Sequence, residues 1–183
     1  MNFKKPKFWD LPVLSIWSIL LYPLSLLFLF ASSILRILKV EKKFPIPIIC
    51  IGNIYIGGTG KTPLAKEIFQ ITKSLGKNPA FVKKYYSYLD DEIDMLQKTG
   101  KTFFLNKRKD SIKALIKKGF DLAILDDGFQ DLSIYKNFNI ICFNQKQWIG
   151  NNFLIPAGPL RESLSALNRA DCILINGKKD TKI

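Results

Sequence analysis

The chain has 183 residues, enough for one α/β domain with a sizeable core, and carries 28 Lys and Arg against 15 Asp and Glu, a formal charge of +13. Such a surface suits anionic partners, nucleotide or acidic lipid head groups, whereas no stripe of interleaved basic and aromatic residues argues for nucleic acid. Histidine is absent, so acid–base chemistry falls to carboxylates, lysine or the substrate itself.

Residues 11–35 carry no charge and are dominated by Leu, Ile, Phe, Trp and Val, long enough to cross a bilayer core as a helix. Pro12 and Pro23 interrupt the run, and Pro23 predicts a kink. Lys4, Lys5 and Lys7 precede it; Arg36, Lys39, Lys42 and Lys43 follow it. The longer basic run and the hydrophilic domain both lie on the C-terminal side, which favours that side as cytoplasmic. The run is too long for a cleaved signal peptide. A kinked hairpin in one leaflet and an inserted anchor, spanning or re-entrant, both fit, and the anchor is preferred. Trp9, Trp17 and Tyr22 are candidates for the membrane interface. The expected division is a membrane-anchoring segment over 1–43 and an α/β domain over 44–183.

The apolar run 46–52 predicts a buried strand, and residues 56–62 read Ile-Gly-Gly-Thr-Gly-Lys-Thr. Strand, glycine-rich turn and Lys-Thr opening a helix make a phosphate cradle: glycines let backbone N–H groups converge on an anion, and the helix start adds its positive end. Lys61 can reach β- and γ-phosphate oxygens, and the Thr62 hydroxyl can ligate Mg²⁺. The strict pattern wants glycine where Tyr55 stands, so this is a variant, with Gly57 and Gly58 inside the loop. The expected ATP-binding residues are Tyr55, Ile56, Gly57, Gly58, Thr59, Gly60, Lys61 and Thr62. A helix is expected over 63–75, a strand over 79–82, a loop over 83–88 and an acidic helix start over 90–97. Further strands are expected at 102–105, 121–126, 139–143 and 172–175, with an amphipathic helix at 109–117. Strands alternating with helices imply a P-loop NTPase-like, doubly wound parallel sheet with its ligand at the carboxyl ends of the strands. Cys50, Cys142 and Cys172 lie in apolar runs and read as core residues.

Residues 122–130, Leu-Ala-Ile-Leu-Asp-Asp-Gly-Phe-Gln, read as a buried strand ending in carboxylates that can hold Mg²⁺ opposite Thr62. Asp126 and Asp127 point in different directions, and the residues alone do not say which touches metal. Residues 154–162, Leu-Ile-Pro-Ala-Gly-Pro-Leu-Arg-Glu, form a rigid turn that delivers Arg161 and Glu162. Arg161 suits a transferring phosphoryl group, and Glu162 can join a metal shell or orient Arg161; by chemistry alone a solvated ion pair on a surface turn is the better fit. Asp90, Asp91 and Glu92 are by chemistry alone an acidic first helical turn.

Together these motifs resemble the tetraacyldisaccharide 4′-kinase family of lipid A biosynthesis. The resemblance rests on the loop from Ile51 to Pro63, on Asp126-Asp-Gly-Phe-Gln130, on Gly150-Asn151 before Leu154 to Glu162, and on Ala170-Asp171 through Gly177. It implies ATP- and Mg²⁺-dependent phosphorylation of the 4′-hydroxyl of an acylated glucosamine disaccharide 1-phosphate, at the cytoplasmic face of the bacterial inner membrane. It implies Asp91 as the base for the sugar hydroxyl, with Lys61 and Arg161 on the phosphates and Thr62, Asp126, Asp127 and Glu162 around the metal. Arg108 matches a family arginine. The family's Ser-Arg-Gly-Tyr becomes Lys83-Lys84-Tyr85-Tyr86 here, and its Gln-His becomes Gln130-Asp131. The family continues into a smaller C-terminal domain that supplies a histidine. The alternative expectation is therefore a membrane-anchored nucleotide-binding remnant, or a chain whose partner carries that domain.

Overall fold

The computed structural model describes residues 5–11, 14–84 and 90–178. Six strands form one parallel sheet: β1 (Ile48–Gly52), β2 (Pro79–Lys84), β3 (Thr102–Leu105), β4 (Leu122–Asp126), β5 (Phe138–Asn144) and β6 (Cys172–Asn176), in the order β3-β2-β4-β1-β5-β6. Side chains alternate across a strand, so each strand feeds two cores. Cys50, Val82 and Leu125 pack with Ile112 and Leu115 on one face. Ile51, Phe81 and Ile124 pack with Ala65, Phe69 and Leu96 on the other. The helices α2 (Lys61–Ser74) and α3 (Asp90–Gln97) cover the second face, and α4 (Arg108–Lys117) covers the first. The chain leaves β1 toward β2 and β3, returns as β4, then crosses β1 to reach β5, so the carboxyl end of β1 lies at a topological switch point.

Two expectations shift at strand ends. β2 extends through Lys84, two residues past its expected end, because Lys83 and Lys84 pair with Phe104 and Leu105 of β3. The expected loop over 83–88 is thereby shortened, and 85–89 lie outside the described residues. Cys172 is exposed, unlike the buried Cys50 and Cys142, because it sits on the edge strand β6.

The apolar segment forms α1 (Ile16–Ile37), which runs through Pro23 as one helix and is opened by the Ser15 side chain accepting from Trp17 N–H. Its bulky residues are exposed: Trp17, Leu20, Leu27 and Phe30 are all at least 60% accessible. Its small polar residues face inward instead. Ser18 is fully buried and accepts from Asn151 Nδ2. Ser25 donates to the Leu154 carbonyl at 2.8 Å and accepts from Ala157 N–H. Arg36 reaches Glu162 at 2.7 Å. From Ser18 to Arg36 the helix is tied to the domain along about 27 Å of its axis. Trp9 is no interface residue: it is buried, and its indole donates to the Pro156 carbonyl.

Burial pushes the Cys50 thiol up to about 12 and the Cys142 thiol to about 11. A thiol reagent at mildly alkaline pH is expected to label one cysteine, Cys172, in the folded protein and all three after denaturation. Mass spectrometry of labelled peptides checks this, and rapid labelling of Cys50 in the native state would contradict the packing of β1.

Candidate active site

The loop after β1 turns away from the sheet at Gly57 and Gly60, whose φ of 154° and 84° favour glycine, and Gly60 caps α2 from the left-handed region. Its carbonyls are held from the carboxyl end of the neighbouring strand β5: Gln147 Nε2 donates to Ile56 O and Asn144 Nδ2 to Gly58 O. Among the described residues, the backbone N–H groups from Gly57 to Thr62 donate to no protein acceptor. A Cβ on Gly58 would meet nothing within 4 Å, so the concave side is open. Free donors, an open face and a helix N-terminus together fit a phosphate chain. Tyr55 takes no part at that surface. It is fully buried against Phe143, and its hydroxyl accepts from Asn144 N–H at 2.6 Å, which explains why the loop closes without glycine there.

Opposite the loop, β4 delivers the two carboxylates in different directions. Asp126 is fully buried, and its Oδ2 accepts from Thr62 Oγ1 at 3.1 Å and from the Lys83 ammonium at 2.5 Å. Lys83 also contacts Glu92 at 2.5 Å. Burial alone would drive Lys83 down, but the Asp126 and Glu92 carboxylates outweigh it and hold its ammonium above the ordinary lysine range. Asp127 adopts φ 58°, a left-handed conformation uncommon for a residue with a side chain. That turn aims its carboxylate at Lys61, 3.7 Å away, and at Arg161, 3.2 Å away. Burial alone would raise it, but the Lys61, Arg161 and Arg108 charges hold it below the usual carboxylate range.

Arg161 stands where the 154–160 turn rejoins the loop: its N–H donates to Ile54 O, and Leu160 bridges Tyr55. Glu162 next to it is buried and gripped by Arg36 of α1 and by Arg169, which also stacks over Phe129 at 4.3 Å. Lys61, Thr62, Asp126, Asp127 and Arg161 are thus brought together, while the Glu162 carboxylate is engaged by arginines beside them. Asp91 lies in the exposed first turn of α3 with no ion pair among the described residues. Sequence reasoning missed Lys83, treated as a loop residue, and missed Asn144 and Gln147, which brace the loop from the carboxyl end of β5. The polar run after that buried strand was the available signal.

Mg²⁺ in phosphate sites takes one or two carboxylates, with phosphate and water completing its shell. Among the described residues no cluster of three or more acidic, His or Cys side chains exists to form an all-protein cage. The buried Asp126 Oδ1 has no hydrogen-bond partner and lies on the carboxylate that Thr62 already touches, so the donor set fits such a metal.

Fold and loop define a P-loop NTPase-like protein of the parallel-sheet type. The sequence profile of the family described as "Tetraacyldisaccharide-1-P 4'-kinase" matches residues 17–98 and 87–183, and the chain belongs to that family. The tetraacyldisaccharide 4′-kinase of Pelagibacter ubique is 41% identical over 186 residues, covering 100% of this chain and 58% of the relative. That of Colwellia psychrerythraea is 33% identical, covering 88% of this chain and 54% of the relative. The chain therefore spans a little over half the length of these relatives. A crystal structure of the "apo" form of LpxK from Aquifex aeolicus in complex with ATP superposes with a TM-score of 0.74 at 25% identity, over 91% of this chain and 63% of that one. The signal recognition particle 54 kDa protein of Aeropyrum pernix, in complex with GDP, shares the fold at 12% identity with a TM-score of 0.52.

Lys83→Ala strands a buried carboxylate and is expected to cost about 3–5 kcal/mol of stability. Lys83→Met combined with Asp126→Asn is expected to recover most of it, and urea unfolding of the single and double variants measures the coupling. Strictly additive losses would contradict the pairing. Asp127 is lowered in the folded state, so its contribution is complete above pH 3.8 and is lost as pH falls through the lower folded value. The stability gap between the native protein and Asp127→Asn is expected to stay constant from neutrality to about pH 5 and to close in stronger acid.

Proposed function

We propose that the chain transfers the γ-phosphate of ATP to the 4′-hydroxyl of an acylated glucosamine disaccharide 1-phosphate while seated on the cytoplasmic face of the bacterial inner membrane. One observation carries the reading: Lys61 and Arg161 converge on Asp127 beside a run of free backbone donors. Two cations are held in place by a carboxylate, ready to exchange it for phosphoryl oxygens. Family membership supplies the reaction class. Lys61 would neutralise the β- and γ-phosphates, and Arg161 the charge that develops on the transferring group. Mg²⁺, held by Thr62 and Asp126 with Asp127 or Glu162 near its shell, would shield the phosphate oxygens. The sugar 4′-oxygen forms the new bond to the γ-phosphorus, the bond to the bridging oxygen breaks, and ADP leaves with that electron pair. Asp91 takes the hydroxyl proton.

The same reading seats α1 in one leaflet. A helix docked lengthwise cannot keep its ties at Ser18, Ser25 and Arg36 and also cross some 30 Å of hydrocarbon. With its small polar residues on the protein and Leu, Phe, Ile and Trp outward, it suits the head-group boundary. The domain over 44–183 then stands at the membrane surface. An apolar cavity of about 370 Å³ between α1 and the 152–164 segment, lined by Leu26, Leu29 and Phe153 among others, opens beside it.

A second reading, a membrane-seated nucleotide-binding chain that needs a partner to complete its site, is favoured by the exposure of Asp91, which has no side-chain partner among the described residues. Single-turnover transfer from labelled ATP to the acylated disaccharide 1-phosphate in detergent decides between them. Transfer is expected to fall about 10²–10³-fold in Lys61→Ala and about 10²–10⁴-fold in Asp91→Asn. ATP binding without transfer in the unaltered chain would leave the second reading, and full activity of Lys61→Ala would sink the first.

A further inference from the structure

The carboxylates that could serve a metal in the phosphate site already hold cations of the protein's own. Asp127 lies 3.2 Å from Arg161 and 3.7 Å from Lys61, and Glu162 is gripped by Arg36 and Arg169. Asp126 decides the matter, because it alone of the three touches Thr62. Its Oδ2 accepts from the Thr62 hydroxyl at 3.1 Å and meets the Lys83 ammonium at 2.5 Å. The Lys83 side chain is only 3% exposed, against 15% for Lys61. A lysine so enclosed is a fixed part of the site and not a solvated surface charge.

Two elements fix where that charge sits. Pairing with β3 carries β2 through Lys84, which brings Lys83 to the carboxyl end of the sheet beside β4. From there its ammonium spans Asp126 and Glu92 of α3, 2.5 Å from each. Water screens the Glu92 carboxylate, which is 46% exposed, but the fully buried Asp126 meets its cation almost unscreened. Asp126 and Lys83 are therefore close to neutral as a unit. A divalent ion drawn to the Thr62 hydroxyl would find a carboxylate already matched and an ammonium on the same oxygen. Two cations at one buried carboxylate repel strongly. A triphosphate gains what the metal loses, since Lys61, Arg161 and Lys83 supply positive charge around the loop before any ion arrives.

Resting on the proposed reading of this site, we infer that Lys83 is a built-in cation of the phosphate site: it neutralises Asp126, so the loop takes ATP without a divalent ion and holds the ion only loosely. The metal is then a requirement of transfer and not of nucleotide binding.

The test uses the full chain in neutral detergent micelles and measures ATP binding by calorimetry in EDTA and in excess Mg²⁺. Electron paramagnetic resonance reads Mn²⁺ in the protein–ATP complex, and circular dichroism reports the fold of each variant. For the native protein the two ATP affinities are expected to agree within about threefold, and the complex to hold Mn²⁺ no more tightly than free ATP does. Lys83→Gln keeps a donor for Asp126 and removes the charge. It is expected to weaken metal-free ATP binding about tenfold and to tighten Mn²⁺ about tenfold. Lys83→Arg keeps the charge and is expected to behave as the native protein in both measurements. Native binding of ATP that requires Mg²⁺ would overturn the inference and leave the kinase reading standing. Unchanged metal-free ATP and Mn²⁺ affinities in a folded Lys83→Gln protein would overturn it too, assigning the counter-charge to Lys61 and Arg161. Should Lys83→Gln not fold, loss of metal-free ATP binding in Lys83→Arg would overturn it and retention would uphold it. Metal-free ATP binding by a native chain that transfers no phosphate even with Mg²⁺ would leave the Lys83 assignment standing and sink the kinase reading.

Discussion

A fully buried carboxylate at the end of β4 sets the terms for everything around it. A carboxylate taken out of water into a sheet interior, as Asp126 is, needs charge and hydrogen bonds to offset the lost solvation. Thr62 arrives from the first turn of α2 and Lys83 from the end of β2, so one side chain ties two strands and the phosphate-loop helix. Lys83 extends the tie to α3 through Glu92. The loop cannot move far without exposing that charge, and the chemistry inherits a rigid floor.

The arginines organise the next layer. The chain has four, and they gather at two residues, Asp127 and Glu162, with Arg108 reaching Asp131 as well. Arg161 and Arg108 meet at Asp127, one on the side chain and the other on the carbonyl. Arg36 and Arg169 meet at Glu162. Because Glu162 adjoins Arg161 in the chain, the docking of α1 and the placement of Arg161 share a backbone segment. The buried serines of α1 grip the same segment at Leu154 and Ala157. The docking of α1 and the geometry around the phosphate loop are thus mechanically one structure, and lysine's single point charge could not replace the planar fork at these positions.

Much of this was legible in one dimension. The order strand, glycine turn, Lys-Thr and helix has few physical solutions, and the apolar runs at 122–126 and 139–143 leave little doubt that they are buried strands. Boundaries were less legible, since β2 owes its last two residues to pairing with β3 and not to its own hydrophobicity. Lys83 was illegible for the same reason: a lysine after a strand reads as solvated until its two carboxylate partners, 9 and 43 residues away, are placed. Trp9 and Cys172 were misread because burial belongs to the assembled sheet and its edges, not to the apolar character of a residue.

The sequence by itself determined the class of fold, the phosphate loop, the family and the presence of an apolar helix, because each depends on local spacing of residue types. Only the tertiary structure decided what the charged groups face. It turned the serines of α1 inward and the leucines outward, aimed Asp127 at Lys61 and Arg161 through a left-handed backbone, and buried Lys83. Electrostatic energy depends on distance and burial, and neither exists until the chain has folded.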